Sequence, residues 1–290
     1  MSTDNREKET ENPEPLRNGL YLVATPIGNL RDISLRALAV LKSVDLVICE
    51  DTRVTRKLLN AYQISARVQV YNDHSSDDKR DHVMDLIKEG KAVALLSDAG
   101  MPLVSDPGYK LARNCQNDGL YVTTIPGANA PLCALQLSGL PSDKFCFLGF
   151  MPAKSSARCK VLSEWAGVKA TLIAFETAPR LIACLEDISK SFGTREVAVV
   201  REITKLYEEV RKDTVDVLIH HYRENGAPKG EIVLVIAPPE DQVIGEGDLQ
   251  AMLFEALKSM KVKDAAHHVA EKTGHKKSDL YNMALKIHKE

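Results

Sequence analysis

The sequence predicts two α/β domains followed by a small helical unit. Three observations carry this. Short apolar strands and helical stripes alternate from residue 20 to about 130. The same rhythm restarts after a helix at 129–138. Beyond Gly245 and Gly247 the chain shows only helical periodicity. A length of 290 residues agrees with two domains at about 100–200 residues each. The expected boundaries are an N-terminal arm at 1–18, an α/β domain at 19–130, a second α/β or α+β domain at 131–240, and a linker plus helices at 241–290.

Each element follows from its residues. Residues 1–18 lack aromatic and β-branched patterning and predict a disordered arm. Leu20–Ala24 is a short buried strand running into the turn Thr25-Pro26-Ile27-Gly28-Asn29. Asp32 is the expected N-cap of a helix carrying Leu35, Leu38, Ala39 and Leu41. Asp45–Cys49 is a second strand, ending in Glu50-Asp51-Thr52-Arg53 before a basic helix. Val68–Tyr71 is a third strand and 75–89 a helix. Ala92–Leu96 is apolar throughout, as a central parallel strand should be. A long loop, Ser97 to Gly108, leads to a helix at 109–117, and Tyr121–Ile125 completes the first sheet. The second domain predicts strands at 145–150, 172–175, 197–200 and 232–236, with helices between them at 181–189 and 215–222.

Composition excludes several classes. No apolar run approaches the ~18 residues that span a bilayer, and the polar, acidic-leaning N-terminal stretch does not resemble a secretory signal. A cytoplasmic protein without membrane contact is expected. Six cysteines are scattered without a C-x-x-C pair, so reduced thiols are expected and no metal site. Cys49, Cys133, Cys146 and Cys184 fall in apolar runs and are expected to be buried. The near balance of 38 Lys and Arg against 40 Asp and Glu conceals an asymmetry. Residues 258–290 hold eight lysines against four acids, plus four of the eight histidines. There a helix starting near Asp264, an expected stop at Gly274 and a second helix from Lys277 or Ser278 suggest a helix-turn-helix, with Val269, Ala270 and Leu280 at its apolar positions. Lys261, Lys263, His275, Lys276 and Lys277 are its candidate contacts to nucleic-acid phosphates.

Ligands of open α/β sheets bind beyond the carboxyl ends of the strands. The Ser97–Gly108 loop is therefore the foremost candidate, because a long ordered connection is more often functional than a short one. The Thr25–Asn29 and Glu50–Arg53 loops stand at the same edge. In the second domain, Glu176–Arg180 follows a strand, and 201–209 packs charges around Tyr207. Neither G-x-G-x-x-G nor G-x-x-x-x-G-K-[ST] occurs, which removes the usual support for dinucleotide binding and ATP hydrolysis.

The segments VATPIGNLRDISLRAL, CEDTR, SDAGMPLVSDPG, PGANA and REITKLYEE, in this order from residue 23 to 209, resemble the bacterial small-subunit ribosomal RNA methyltransferases of the tetrapyrrole-methylase-like, class III family. The likeness runs from about 19 to 240, and the tail resembles the helix-turn-helix attached to this subgroup. The resemblance implies S-adenosylmethionine as cofactor, held between two α/β domains. It also implies 2′-O-methylation of a cytidine ribose in the decoding region of 16S rRNA, with the 30S subunit as partner and a homodimer as the assembly. The family's Gly-Gly-Asp-Pro loop falls on Ala99-Gly100-Met101-Pro102, where Met101 replaces the acid. Its first-strand glycine loop falls on Ala24–Gly28, where only Gly28 keeps the glycine.

The expected cofactor contacts are Pro26, Gly28, Asp98, Ala99, Gly100, Met101, Val104, Ala128 and Asn129. The expected catalytic residues are Glu50, Asp51 and Arg53, one acid taking the 2′-hydroxyl proton and the arginine holding phosphate or developing alkoxide. His74 is a second candidate base, and Lys205 and Glu208 are expected to reach the cleft from the second domain. Two other readings stay open: a tetrapyrrole or small-molecule methylase of the same fold, and a non-enzymatic nucleic-acid-binding regulator.

Overall fold

The computed structural model describes residues 16–72, 77–239, 246–273 and 275–287. Most of the N-terminal arm, His74, residues 240–245 of the linker and Gly274 lie outside the described residues. Contacts divide the chain into Met1–Pro239 and Glu240–Glu290.

The first unit opens with a parallel sheet. Its strands are β1 (Gly19–Val23), β2 (Leu46–Cys49), β3 (Val68–Val70), β4 (Ala92–Leu96) and β5 (Val122–Ile125), in the order β3-β2-β4-β1-β5. Helices α1 (Leu35–Ser43) and α2 (Thr52–Ala61) cover one face, where Val23, Val47 and Ala94 meet Leu41 and Leu58. Helices α3 (Asp77–Lys88) and α4 (Tyr109–Asn117) cover the other, where Leu20, Ile48 and Leu95 meet Ile87 and Leu111. Burial on both faces explains why β4 reads as an unbroken apolar run. All five strands point the same way, so their carboxyl-end loops gather at one edge.

The second sheet is mixed. β6 (Phe145–Phe150) pairs parallel with β7 (Thr171–Thr177). β10 (Glu231–Ile236) runs antiparallel between β7 and β8 (Glu196–Arg201), and β9 (Glu209–Thr214) closes the edge. Helices α6 (Ser155–Trp165), α7 (Leu181–Phe192) and α8 (Val215–Asn225) pack on Leu172, Val199 and Leu234. Helix α5 (Ala130–Ser138) packs Ala134 and Leu135 on the opposite face, against Ile173, Val200 and Val235. Its start is set by Asn129, whose side chain accepts from the Leu132 amide at 3.0 Å, and by Pro131 in the first turn.

Four sequence expectations change here. Asp32 ends a short 3-10 turn, Leu30–Asp32, and the cap of α1 is Ser34, whose hydroxyl accepts from the Ala37 amide at 3.1 Å. Strand β9 went unread because its sequence, EVRKDT, is charged; it is an edge strand held by backbone pairing to β8. Helix α6 went unread because one of its two buried positions is Arg158 rather than an apolar residue. The six cysteines are free thiols; Cys49, Cys115 and Cys184 are buried, whereas Cys133 and Cys146 are only half-buried, in correction of the expectation. No helix is long and apolar enough to cross a membrane, and no cluster of three or more His, Cys, Asp or Glu could hold a metal ion, among the described residues.

The second unit is three helices: α9 (Glu246–Leu257), α10 (Val262–Thr273) and α11 (Lys277–Ile287). Leu253, Ala265, Ala266, Val269, Leu280 and Ala284 form its core; Ala270 is half-buried beside it. Helix α10 begins at Val262, so Asp264 lies within its first turn rather than at its start. Lys261 and Lys263 are exposed at the amino end of α10. His275, Lys276 and Lys277 follow its carboxyl end. A helix of this length spans roughly 18 Å, so the five residues form two groups rather than one cluster.

The deepest charges in the second sheet's helical layer are Arg158 and Asp187, both 2% exposed, with a 2.6 Å ion pair. Asp187 also accepts from the Ser155 hydroxyl at 2.9 Å, and Arg158 donates to the Pro152 carbonyl at 3.0 Å. This ties the β6–α6 connection to α7. Burial raises the Asp187 pKa, but the hydrogen bonds from Ser155 and Arg158 outweigh it and hold the carboxyl below its ordinary value. Asp187→Asn is expected to cost about 3–5 kcal/mol in urea denaturation at neutral pH. A depressed folded-state pKa gives stability that is present above the unfolded value and lost in acid. The difference between parent and variant should therefore shrink as pH falls below the ordinary carboxylate range.

Candidate functional site

The carboxyl-end loops of β1, β2 and β4 converge on one another. Thr25 and Gly100 exchange backbone hydrogen bonds of 2.9 and 3.0 Å, and the buried Thr25 hydroxyl donates to the Ser97 carbonyl at 3.0 Å. The exit of β1 is thereby stitched to the Ser97–Gly108 loop. Gly100 sits at φ +83°, and a Cβ there would lie 3.2 Å from the Ile27 side chain. Leu103 and Ser105 hold positive φ without being glycine, a strained backbone of the kind that collects at ligand sites. Ile27 itself is 8% exposed and packs into the apolar cluster of the second sheet with Ala134 and Ile203.

Between the two sheets lies a cleft of about 320 Å³. Of the expected cofactor contacts, Asp98, Ala99, Gly100, Met101, Val104 and Asn129 line it. Ala128 lies behind Gly100, its carbonyl 3.6 Å from where a Cβ would stand. Pro26 and Gly28 line a separate, smaller cavity that shares Asp98 with the cleft. The opposite wall was foreseen only in part. Glu176 and Thr177, at the end of β7, and Ile203 come from the two candidate segments of the second domain, whereas Phe150, Phe175 and the first residues of β10, Glu231, Ile232 and Val233, were not expected. A search of strand carboxyl ends misses β10, because it runs antiparallel and brings its amino end to this edge.

The segment 201–209 is a junction between the lobes rather than a solvated edge. The Thr204 hydroxyl donates to Asp32 at 2.5 Å across the lobes. Lys205 lays its stem on Gly28, where a Cβ would meet Lys205 Cγ at 2.5 Å. Its ammonium bonds Glu202 at 2.9 Å and Glu231 at 3.0 Å. Lys205 does not line the cleft itself; it touches Glu231, which does. Glu208 turns back onto the Thr204 amide at 2.6 Å.

None of Glu50, Asp51 and Arg53 lines the cleft. Glu50 is exposed. Asp51 caps α2 and binds Arg53, the guanidinium lying 2.6 Å from its carboxylate, while its own amide donates to Asp98 at 3.2 Å. The hydrogen bonds from Arg53 bring the Asp51 pKa down to about 2. So weak a base is poorly matched to proton abstraction near neutrality, which argues against the role expected for Asp51. Asp106, in the cleft wall, goes the other way. Burial pushes its pKa up despite a hydrogen bond from the Ser97 hydroxyl, and the charges of Glu50 and Asp98 add to the rise.

Comparison with known proteins decides what this geometry belongs to. The tetrapyrrole (corrin/porphyrin) methylase profile matches residues 19–218. The chain belongs to the tetrapyrrole methylase family. A second profile, the RsmI C-terminal HTH domain, matches 244–288. The chain is 51% identical to "Ribosomal RNA small subunit methyltransferase I" of Erythrobacter litoralis, over 94% of this chain and 97% of that protein. It is 41% identical to the protein of the same name from Escherichia coli O157:H7, over 96% and 98%. Among solved structures, diphthine synthase superposes with a TM-score of 0.60 at 16% identity, covering 75% of this chain and 89% of that one. The cobalt precorrin-4 methyltransferase CbiF gives 0.55 at 19%, covering 74% and 93%. At such identities the two structures speak for the fold alone.

This member of the family is an S-adenosylmethionine-dependent methyltransferase, and its cleft suits that cofactor. Phe150, Phe175, Ile203 and Val233 offer apolar surface for an adenosine, Asn129 and Asp98 offer polar partners, and Asp106 and Glu231 put negative charge near a sulfonium. Gly100 leaves the cradle open where a side chain would fill it. Gly100→Trp is expected to abolish S-adenosylmethionine binding in titration calorimetry, and Asp98→Ala to weaken it at least about 10-fold, with unfolding midpoints showing that both variants remain folded.

Proposed function

We propose that this enzyme transfers a methyl group from S-adenosylmethionine to the 2′-hydroxyl of a cytidine ribose in the decoding region of 16S rRNA, acting on the 30S subunit. The observation that carries the reading is the pairing of a cofactor-sized cleft between two lobes with a separate helical unit bearing exposed lysines. The naming of close relatives as small-subunit rRNA methyltransferases supports it. A small tetrapyrrole substrate has no use for a cationic helix-turn-helix, and a ligand-sensing regulator has none for a strained loop with a buried acid. In this reading Lys261, Lys263, His275, Lys276 and Lys277 hold phosphates at two places along the RNA. The protein acts in the cytoplasm as a homodimer.

The chain's own groups have defined tasks. Bound in the cleft, the cofactor supplies an electrophilic methyl on a sulfonium. Asn129, Ala99 to Met101 and Val104 hold it, and Phe150 and Phe175 exclude water on the far side. Positioning does most of the work in such a displacement. The 2′-hydroxyl must shed a proton, and Asp106 is the acceptor, because burial gives it the more basic carboxylate. Arg53, 86% exposed at its side chain, is free to meet an RNA phosphate while it keeps Asp51 ionised. Glu50 stands outside the cleft and contributes charge.

Incubated with labelled cofactor, 30S subunits lacking the modification are expected to gain the mass of one methyl group on a single cytidine, at the ribose. A methylated base, or a methylated tetrapyrrole, would redirect the assignment. Asp106→Asn is expected to lower kcat about 10²–10⁴-fold, beyond the weaker cofactor binding that follows from removing a charge near the sulfonium. In the parent, kcat/KM should fall in acid along a limb whose midpoint lies above the ordinary aspartate value of about 4. That limb should vanish in the variant.

A further inference from the structure

The smaller cavity, about 180 Å³, opens between the exit of β1 and helix α2. It borders the cofactor cleft through Asp98, which lines both. Pro26, Leu30, Val54 and Leu58 give it most of its surface, and Thr25, Lys57, Ser97 and Asp98 add polar groups. Leu30 and Val54, at 48% and 39% exposed, stand at its mouth. Thr55 also lines it and is 2% exposed, and its buried hydroxyl has only the weakly hydrogen-bonding Cys49 thiol beside it. A hydroxyl so weakly satisfied gains from a ligand that offers it a stronger partner. Lys57 lines the cavity and is exposed, and Arg31 and Arg53, the chain neighbours of the lining residues Leu30 and Val54, are exposed as well.

A cavity this size is below the ~300–1,000 Å³ typical of pockets for drug-sized ligands, so it suits one ring system. Apolar side chains for the faces, with a few polar groups including the weakly satisfied Thr55 hydroxyl for the edge, match a nucleobase. The cations outside match a phosphate backbone, and the shared Asp98 places the sugar between base and cofactor. We propose that this cavity receives the target nucleobase, a single-ring base turned out of the RNA strand, while Arg31, Arg53 and Lys57 hold the flanking phosphates. Enzymes that act on a nucleotide within a structured strand commonly seat the extruded base in such a pocket. Arg53 then serves the substrate from a position away from the cleft, which explains why the structure leaves it outside. The proposal rests on RNA being the substrate.

The test has two arms, both on the full-length protein. In the first, 30S methylation is measured for the parent, for Val54→Trp, which fills the cavity from its mouth, and for Thr55→Val, which keeps the shape and removes the hydroxyl. Both variants should bind S-adenosylmethionine as the parent does and lose at least about 10-fold in kcat/KM. Parental kcat/KM in both overturns the pocket while leaving the function intact. In the second arm, cytidine 5′-monophosphate is titrated into methyl-labelled protein and followed by NMR. Shifts at the Val54, Thr55 and Leu58 methyls, absent in Val54→Trp and absent with ribose 5-phosphate, support the pocket even if the parent fails to methylate 30S subunits, in which case only the assigned substrate falls. No shift at these methyls, or equal shifts with ribose 5-phosphate, overturns it.

Discussion

The exit of β1 is the constraint on which the site depends. Within four residues it makes three different attachments. Thr25 is stitched to Gly100 by paired backbone bonds, Ile27 is buried in the second sheet's apolar cluster, and Gly28 lies under the stem of Lys205. The first holds the long Ser97–Gly108 loop against the sheet that emits it. The second and third hold one lobe to the other. Each needs a small or specific residue: a β-branched hydroxyl at 25, a large apolar side chain at 27, and no side chain at 28. A change at any of them moves a wall of the cleft rather than a contact within it, and positioning is what methyl transfer requires most.

Electrostatics divides the acids gathered at this edge. Asp51 is half-buried and locked to Arg53, so it stays ionised and serves α2 as a cap. Asp106 is half-buried beside Ser97, and desolvation pushes its carboxyl the opposite way. Neighbouring carboxyl groups with pKa values driven apart mark a division of labour between structural anion and proton acceptor. Lys205, between Glu202 and Glu231, neutralises the rim of the second lobe, and it is its aliphatic stem on Gly28 that meets the first.

Much of this was legible in the residues. The parallel first sheet followed from apolar strands at regular spacing, and the loops named as candidates meet where the strands end. The first wall of the cleft, Asp98 to Val104 with Asn129, was read from loop length and composition together with family resemblance. Of the second wall, Glu176, Thr177 and Ile203 fell in named segments, but Glu231 to Val233 did not, for a topological reason: β10 is antiparallel, so they reach the site from the start of a strand. Helix α6 was hidden by Arg158, a charge at a core position that only Asp187 makes tolerable. Ile27 gave no signal, because one apolar residue in a turn does not announce which lobe it packs in. The EDTR cluster misled in the opposite sense. Its charge density suggested catalysis, and the fold spends Asp51 and Arg53 largely on each other.

The central claim is that one ligand site is built from both lobes, with the β1 exit as its hinge pin. Hydrogen–deuterium exchange with and without S-adenosylmethionine tests it most directly. The claim predicts coincident protection of Ala99–Val104 from the first lobe and Glu231–Val233 from the second, with the Thr25 amide slow in both states. Protection confined to one lobe, or a Thr25 amide that exchanges freely until cofactor is added, would contradict it.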